Sequence, residues 1–140
     1  MSKIIINYYN LNEYEDKLRF VVIPSKHNGK WVFVRHKDRT SWEFPGGHIE
    51  EDELADDAAS RELKEESGAK TFKIKPMCNY SVNRSGKVNY GRVYFANIEE
   101  LGDCQVFEMD EVITVDKLPE NLTYPIIIKS IINKISSMEK

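Results

Sequence analysis

The sequence has few cysteines and no long apolar segment. Its 140 residues include two cysteines, Cys78 and Cys104, which lie far apart and form no CxxC or Cys/His pair. Disulfide and zinc frameworks need closer or more numerous cysteines, so we expect free thiols in a reducing compartment, by default the cytoplasm. The N-terminal apolar run is three residues long, and the isoleucine run at 126–128 is equally short. We therefore expect neither a signal peptide nor a membrane span.

The sequence also lacks an excess of positive charge. Its 20 basic and 23 acidic residues give a net charge of −3. A protein that binds duplex nucleic acid or an anionic membrane usually carries a basic footprint, so neither partner is expected. Small phosphate ligands respond to local groups and fit this composition. Because no linker, repeat or charge block divides the chain, we predict one domain over 1–140, as a monomer or a homodimer.

Apolar alternation and turn dipeptides predict two β-hairpins, one further strand and two helices. Asn28-Gly29 and Ser85-Gly86 mark the two hairpin turns. The predicted strands are 18–25 with 30–36, 77–84 with 88–98, and 112–118. One helix is predicted over 52–67, and Pro125 opens another whose isoleucines repeat at helical spacing as a core stripe that ends at Met138. Strands and helices in this mixed order predict an α+β domain.

The stretch RELKEESG, residues 61–68, puts three glutamates near the end of the first predicted helix. Acidic side chains are disfavoured there, because the carboxyl end of a helix carries partial negative charge. At 100° per residue, Glu62, Glu65 and Glu66 lie within the arc of the apolar residues, which face the protein body. The arc comprises Leu54, Ala55, Ala58, Ala59 and Leu63, and the opposite, solvent side comprises Glu53, Asp56, Ser60, Lys64 and Ser67.

The three glutamates need a cation besides the adjacent Arg61, which supplies one positive charge against three. With oxygen ligands alone, Mg²⁺ or Mn²⁺ is favoured over zinc. Such an ion suits phosphoryl chemistry, because it neutralises phosphate charge and lowers the pKa of an attacking water. The preceding Pro45-Gly46-Gly47 turn lets the backbone come close to a metal or ligand.

From Gly47 the sequence reads G-x5-E-x7-R-E-L-x-E-E-x-G-A and resembles the Nudix box, the signature of the Nudix hydrolases. The matching positions are Gly47, Glu53, Arg61, Glu62, Leu63, Glu65, Glu66 and Gly68. Ala69 departs, being small where a bulky aliphatic residue is usual, which affects packing and not a metal ligand. The resemblance implies an α/β/α sandwich with a mixed sheet and the box as loop–helix–loop. It also implies Mg²⁺-dependent hydrolysis of nucleoside diphosphate derivatives.

The resemblance implies roles for the box residues. Glu62, Glu65 and Glu66 are the expected metal ligands, with the Gly46 carbonyl as a fourth. Glu65 is also a candidate general base. Arg61 resembles the arginine that orients the glutamates, although a surface pair with Asp57 or Glu65 is the plainer alternative. Glu53, placed outward by the helical wheel, and Gly68 at the helix end receive structural roles.

Other residues are candidates outside the metal cluster. A general base can come from beyond the box, and Glu111 is placed ahead of Glu108 because it resembles the MutT-type position. The predicted substrate-binding residues are Gly47, Arg92, Tyr80 and Asn121.

Weaker likeness to MutT-type enzymes implies a nucleoside triphosphate pyrophosphohydrolase, with 8-oxo-dGTP as the first substrate candidate. The products would be nucleoside monophosphate and pyrophosphate. The alternatives are ADP-ribose, a dinucleoside polyphosphate or an RNA 5′ end. A different class, a nucleotide-binding module without catalysis, would be expected to lose box carboxylates, and this sequence retains them.

Overall fold

The computed structural model describes residues 3–102 and 109–138. In these ranges it contains eight β-strands, a 3₁₀ turn at Glu15–Lys17 and two α-helices. The strands are β1 Ile4–Tyr9, β2 Leu18–Val22, β3 Ser25–His27, β4 Lys30–His36, β5 Gly46–His48, β6 Ala69–Arg84, β7 Lys87–Leu101 and β8 Met109–Val115. The helices are α1 Ala55–Ser67 and α2 Pro125–Met138. Neither of these helices is long and apolar enough to cross a membrane.

All eight strands belong to one mixed sheet. Its main path runs β1-β6-β7-β3-β4-β8, while β2 pairs with β7 and β5 pairs with β2. Both β2 and β3 run parallel to β7, and the other pairings are antiparallel. The long strands β6 and β7 form a hairpin at the centre of the sheet. Strands β2 and β3, which precede α1 in the chain, pair with β7 of this hairpin, and β6 follows α1 directly.

The two helices cover opposite faces of the sheet, because successive side chains of a strand point to opposite sides. The face under α1, the α1 face, includes Val21, Val32, Ile98 and the α1 residue Leu63. The face under α2, the α2 face, includes two clusters whose buried members are Cys78, Tyr80, Val82, Val93, Ile131 and Ile135, and Phe33, Phe44, Leu122 and Ile128. The arrangement confirms the predicted α/β/α sandwich with a mixed sheet.

Both predicted hairpin turns are present. Asn28 and Gly29 have φ values of 53° and 78°, and Ser85 and Gly86 have 52° and 92°. Consecutive positive φ angles characterise the tight turns that match the twist of paired strands. The first turn joins only β3 to β4, because the predicted strand 18–25 breaks around Pro24, a residue without an amide hydrogen. Its first part, β2, pairs with β5 and β7 instead.

The first helix begins three residues later than predicted. Asp52 has a left-handed backbone with φ of 64°, so α1 starts at Ala55. Leu54 therefore stands before the helix and is 72% exposed, against the prediction that it faces the core. Ser67, predicted to face solvent, is buried, and its hydroxyl donates a hydrogen bond to the Leu63 carbonyl. Gly68 ends the helix with a left-handed backbone, as expected.

The isoleucine stripe of α2 packs against the sheet, as the sequence predicts. Ile128, Ile131 and Ile135 are buried, whereas Met138 at the end of the helix is exposed and does not belong to the core. The described cysteine, Cys78, is a buried free thiol, and Cys104 lies outside the described residues.

Replacing Ile131 by Ala should lower the free energy of unfolding by about 2–5 kcal/mol, because the truncation leaves a cavity between α2 and the sheet. Ile131 is 1% exposed, whereas Ile126 on the same helix is 60% exposed. The matched Ile126→Ala variant should stay within about 0.5 kcal/mol of wild type. Urea denaturation monitored by circular dichroism measures both. Equal losses in the two variants would contradict the packing of α2 described above.

Candidate active site

Arg61 links the loop before α1 to the glutamates along the helix. Its Nε donates to Glu53 Oε2 at 2.8 Å and its Nη2 to Glu53 Oε1 at 3.0 Å. Its Nη1 donates to Glu62 Oε1 at 2.7 Å and to Glu65 Oε2 at 3.3 Å. A further bond from Nη2 reaches the His48 carbonyl at 3.2 Å. The pair with Glu65 is thus one contact of a larger network that fixes three carboxylates.

Glu53 lies against Arg61 and does not point outward. The helical wheel was wrong for this residue because α1 begins after it, so Glu53 occupies the loop and not the helix surface. Its Oε1 also accepts a hydrogen bond from the Glu50 amide at 2.9 Å. Arg61 first, and then this amide, lower the pKa of Glu53 to about 2. The contacts favour the structural role at the helix start over metal ligation.

Two of the three glutamates predicted as metal ligands are buried beneath β5. Glu62 and Glu66 are 9% and 7% exposed, whereas Glu65 is exposed, against the prediction of a shared semi-buried face. The Gly46 amide donates to Glu66 Oε1 at 2.9 Å. A Cβ on Gly47 would lie 1.5 Å from Glu62 Oε2. Glycine at 47 is therefore what lets the strand pass over the Glu62 carboxylate.

The buried pair is hard to keep ionised. Burial raises the pKa of Glu66 to about 8, and the nearby charges of Glu62 and Glu43 raise it as well, while the Gly46 amide opposes the shift. Burial raises the pKa of Glu62 to about 7, against the attraction of Arg61. Near neutral pH, Arg61 does not fully compensate these two carboxylates. A bound cation would stabilise their charged forms.

His36 and Glu43 adjoin this cluster, and the sequence reasoning did not select them. His36 Nε2 lies 3.5 Å from both Glu66 Oε2 and Glu43 Oε1. Glu43 also pairs with Arg39, whose Nη1 lies 3.0 Å from Glu43 Oε2. The backbones of Glu43 and Val34 exchange two hydrogen bonds, which bring Glu43 alongside β4. The sequence feature that could have identified Glu43 is its position in the segment WEFPGG, residues 42–47, which leads into the box.

Glu111 lies on the other side of the sheet from the buried pair. It faces Arg35 across β4 and β8, with Arg35 Nη2 3.2 Å from Glu111 Oε1. Its alternate neighbour Ile113 packs on the α2 face, while Val112 packs toward α1. The sequence predicted a strand that starts at 112, whereas β8 begins at 109, and its alternation turns the Glu111 side chain away from the glutamates. Glu108, the second candidate, lies outside the described residues.

Two of the predicted substrate-binding residues are engaged within the fold. Tyr80 is 3% exposed and packs edge-on against Phe20, so its ring offers no surface to a substrate. Arg92 donates from Nε to Asn79 Oδ1 at 2.7 Å and from Nη2 to the Leu11 carbonyl at 2.8 Å. These hydrogen bonds hold the segment after β1 in place. The sequence could not show them, because the partners are distant along the chain.

Asn121 remains exposed on the surface. Its side-chain Nδ2 donates to the Thr40 carbonyl at 2.9 Å, and its backbone carbonyl accepts a hydrogen bond from the Trp42 amide. These bonds fix its position beside the loop after β4. Its role in substrate binding stays a prediction.

The donor set suits a hard cation, because carboxylate oxygens are the ligands that such ions prefer. Within the part of the chain that the structure describes, however, no three ligating side chains converge into a complete cage. Arg61 instead contacts Glu62 and Glu65 together. Glu62, Glu66 and the exposed Glu65 are the residues that would hold an ion, and the ligand roles of all three stay predictions.

Comparison with known proteins assigns this chain to a family. The model of the NUDIX domain matches residues 16–124. The chain belongs to the Nudix family. Its members are hydrolases that act on pyrophosphate bonds of nucleotides, generally with a divalent metal. The resemblance read from the box is therefore confirmed, and so is the enzyme class.

Relatives agree on pyrophosphate chemistry. A Bacillus subtilis (strain 168) protein named "Putative 8-oxo-dGTP diphosphatase YtkD" is 39% identical over 79% of this chain and 70% of its own. An RNA pyrophosphohydrolase from Sulfurovum sp. (strain NBC37-1) is 38% identical over 46% of this chain and 43% of its own. The crystal structure of a mutant of the Bacillus subtilis pyrophosphohydrolase BsRppH superposes with a TM-score of 0.81 at 28% identity, covering 97% and 91% of the two chains.

Replacing Glu66 by Gln should relieve the metal-free protein of a buried charge. The pKa of Glu66 in the fold lies above its ordinary value of 4.5, so this carboxyl stabilises the fold fully below pH 4.5 and loses that contribution as pH rises to about 8. In EDTA, Glu66→Gln should match wild type near pH 5 and exceed its stability by roughly 2 kcal/mol at pH 8, at about 1.4 kcal/mol per pKa unit less relaxation of the site. Urea denaturation across this pH range measures the difference.

Two further measurements complete this test. The exposed Glu51, changed to Gln, should show no such pH-dependent gain. Added Mg²⁺ should raise the Tm of wild type and raise that of Glu66→Gln less, because an ion that binds only the folded state stabilises it. A strongly destabilised metal-free Glu66→Gln protein at pH 8 would show that the cluster is structural.

Proposed function

We propose that the chain is a Mg²⁺-dependent pyrophosphohydrolase that converts a nucleoside triphosphate to the monophosphate and pyrophosphate. The observation that carries the proposal is the buried pair Glu62 and Glu66. Arg61 contacts Glu62, and this one positive charge is less than the two carboxylates need. A Mg²⁺ ion on these oxygens would supply that charge and, when bound, would neutralise substrate phosphates. A water attacks phosphorus, its oxygen forms the new P–O bond, and pyrophosphate leaves with the electrons of the broken bond.

Glu65 is the proposed general base. It is the exposed member of the three, so water reaches it, while Arg61 Nη1 at 3.3 Å limits its movement. A general base must stay within hydrogen-bond reach of the water that it deprotonates, and a side chain held at one end meets this need. Arg61 acts through Glu62 and Glu65 by keeping their carboxylates oriented. Glu111 is a weaker candidate because its side chain lies on the α2 face.

Two substrates are proposed in order. The first is 8-oxo-dGTP, which the MutT-type likeness implies and the name of the Bacillus subtilis relative supports. The second is a triphosphorylated RNA 5′ end, supported by the RNA pyrophosphohydrolase relative. Both substrates share a triphosphate on a 5′ carbon, so the same water attack serves either. Cytoplasmic location and a monomeric or homodimeric state stay predictions.

Replacing Glu65 by Gln should lower kcat by about 10²–10⁴-fold, the usual contribution of a positioned acid or base. Pyrophosphate release from 8-oxo-dGTP, dGTP and GTP with Mg²⁺ measures it, and comparing kcat/KM between nucleotides ranks the substrates. Glu51→Gln, an exposed change at a variable position of the box, should keep wild-type rates. Equal, metal-independent release by wild type and Glu65→Gln would refute the proposed mechanism. Tight nucleotide binding without product would instead favour a binding module.

Replacing Gly47 by Ala should weaken Mg²⁺ activation. The new Cβ would collide with Glu62 Oε2, so the carboxylate must leave its place beneath β5. The Mg²⁺ concentration for half-maximal activity should rise at least about tenfold, which equals roughly 1.4 kcal/mol of lost metal affinity. Gly29→Ala is the control for a loss of stability without a clash at the site: Gly29 has open space around it but φ of 78°, so this variant should be less stable and keep the Mg²⁺ dependence of wild type. Unchanged Mg²⁺ dependence in Gly47→Ala would argue against Glu62 as a ligand.

A further inference from the structure

A row of polar and aromatic side chains crosses the α2 face of the sheet. The backbone register aligns Lys73 of β6 with Asn97 of β7, and Asn97 with Lys26 of β3. Lys26 is in turn aligned with Trp31 of β4. The row covers three inter-strand steps, or about 14 Å at roughly 4.8 Å per step. With the neighbouring pair in the next row, we call it the lysine platform: Lys26, Lys73, Lys75, Trp31, Phe95 and Asn97.

The platform lies where α2 no longer covers the sheet. Phe95, the register partner of Lys75, packs at the margin of an α2-face cluster. The alternate residues Phe72 and Ile74 pack on the α1 face, so Lys73 and Lys75 point to the other side. Both lysines are exposed, and Lys26 is half-buried. The row is therefore an open surface, opposite to the face that carries the box glutamates.

The platform concentrates positive charge in a chain whose net charge is −3. The strands β3, β4, β6 and β7 contain two acidic residues, Glu99 and Glu100. Ile98 and Leu101 both pack on the α1 face, because the register shifts between them. Glu99 and Glu100 therefore both turn to the platform's side, at its margin beyond Asn97. Three lysines against two glutamates at the margin leave the surface with a net positive charge, which is complementary to a polyanion.

Trp31 provides the platform with an aromatic surface. The Lys26 Nζ lies 4.7 Å from the centroid of the Trp31 ring, and Phe95 meets the ring edge-on at 6.4 Å. Lys26 reaches the ring through a flexible stem, so its ammonium can move to a phosphate while a base takes its place. Lysines that follow a backbone, next to an aromatic ring that stacks on bases, are the usual combination for single-stranded nucleic acid.

We propose that the lysine platform binds single-stranded RNA, with phosphates on the lysines and a base on Trp31. An acidic peptide would match the lysines but gain nothing from an aromatic ring, and a mononucleotide would not fill a row across four strands. The inference rests on the proposed function only where it concerns RNA with a triphosphate at the 5′ end. Binding of the strand itself is a separate property and is measured separately.

Fluorescence anisotropy with a labelled RNA of about ten nucleotides, a length within known single-strand sites, tests the binding in EDTA. The triple variant Lys26→Gln, Lys73→Gln, Lys75→Gln should bind at least about tenfold more weakly. Its log–log salt slope should be shallower by about 2, at roughly 0.7 per neutralised phosphate. Lys3, Lys17 and Lys87 are exposed elsewhere, and their triple Gln variant has the same charge change. This control should bind within about twofold of wild type. Equal losses in both triple variants would overturn the platform.

Further binding measurements distinguish single-stranded RNA from other ligands. Trp31→Leu should weaken binding and leave the salt slope unchanged, and a Trp31→Leu protein that binds like wild type would contradict base stacking. Polyglutamate should compete poorly, and competition equal to that of RNA would replace the proposal by an acidic-protein surface. Duplex RNA bound as tightly as single-stranded RNA would likewise overturn it.

Hydrolysis distinguishes this proposal from the proposed function. The platform triple variant should hydrolyse a mononucleotide at the wild-type rate and show a raised KM for triphosphorylated RNA. An equal KM for that RNA in variant and wild type would overturn a role in substrate capture. RNA with a 5′ hydroxyl binds without any chemistry. A wild-type protein that bound this RNA, but released no pyrophosphate from 8-oxo-dGTP, dGTP, GTP or triphosphorylated RNA, would sustain the platform while refuting the proposed function.

Discussion

The contact of Arg61 with Glu53, Glu62 and Glu65 is the interaction on which the site depends. A planar guanidinium presents several donors in fixed directions, so one side chain can hold three carboxylates at once. Arg61 spans the loop before α1 and the second half of the helix, and thereby fixes the loop and the glutamates relative to each other. These partners, Glu53 first, raise its own pKa further, so it remains a permanent charge.

The second constraint is the space between β5 and α1. β5 hydrogen-bonds to β2 on one side and contacts the helix carboxylates on the other. A Cβ on Gly46 would lie 2.5 Å from the Val21 carbonyl oxygen, and one on Gly47 would meet Glu62. Two consecutive glycines thus allow backbone to approach both neighbours, and the resulting burial is what raises the pKa of each of the glutamates beneath. Packing and electrostatics at this site therefore have one origin.

Local patterns in the sequence predicted the parts of the structure that depend on local geometry. The hairpin turns follow from Asn-Gly and Ser-Gly, and the burial of Glu62 and Glu66 follows from helical periodicity. The start of α1 was wrong because Asp52 adopts a left-handed backbone. The side-chain directions of Tyr80, Arg92 and Glu111 could not be read from the sequence, because pairing between distant strands decides which way a strand side chain points. The His36–Glu43 contact likewise depends on a bridge between separate segments.

The net charge of −3 does not describe how charge is distributed over the two faces of the sheet. Much of the acidity lies in and around α1, where Arg61 and, under the proposed function, a metal ion compensate it. Charges compensated in this way do not repel an anion that approaches the opposite face. On that face the three lysines of the platform outnumber its two marginal acidic neighbours, Glu99 and Glu100, so its local charge is positive although the total is −3. Screening over about 8–10 Å at ordinary ionic strength keeps the two faces electrostatically separate.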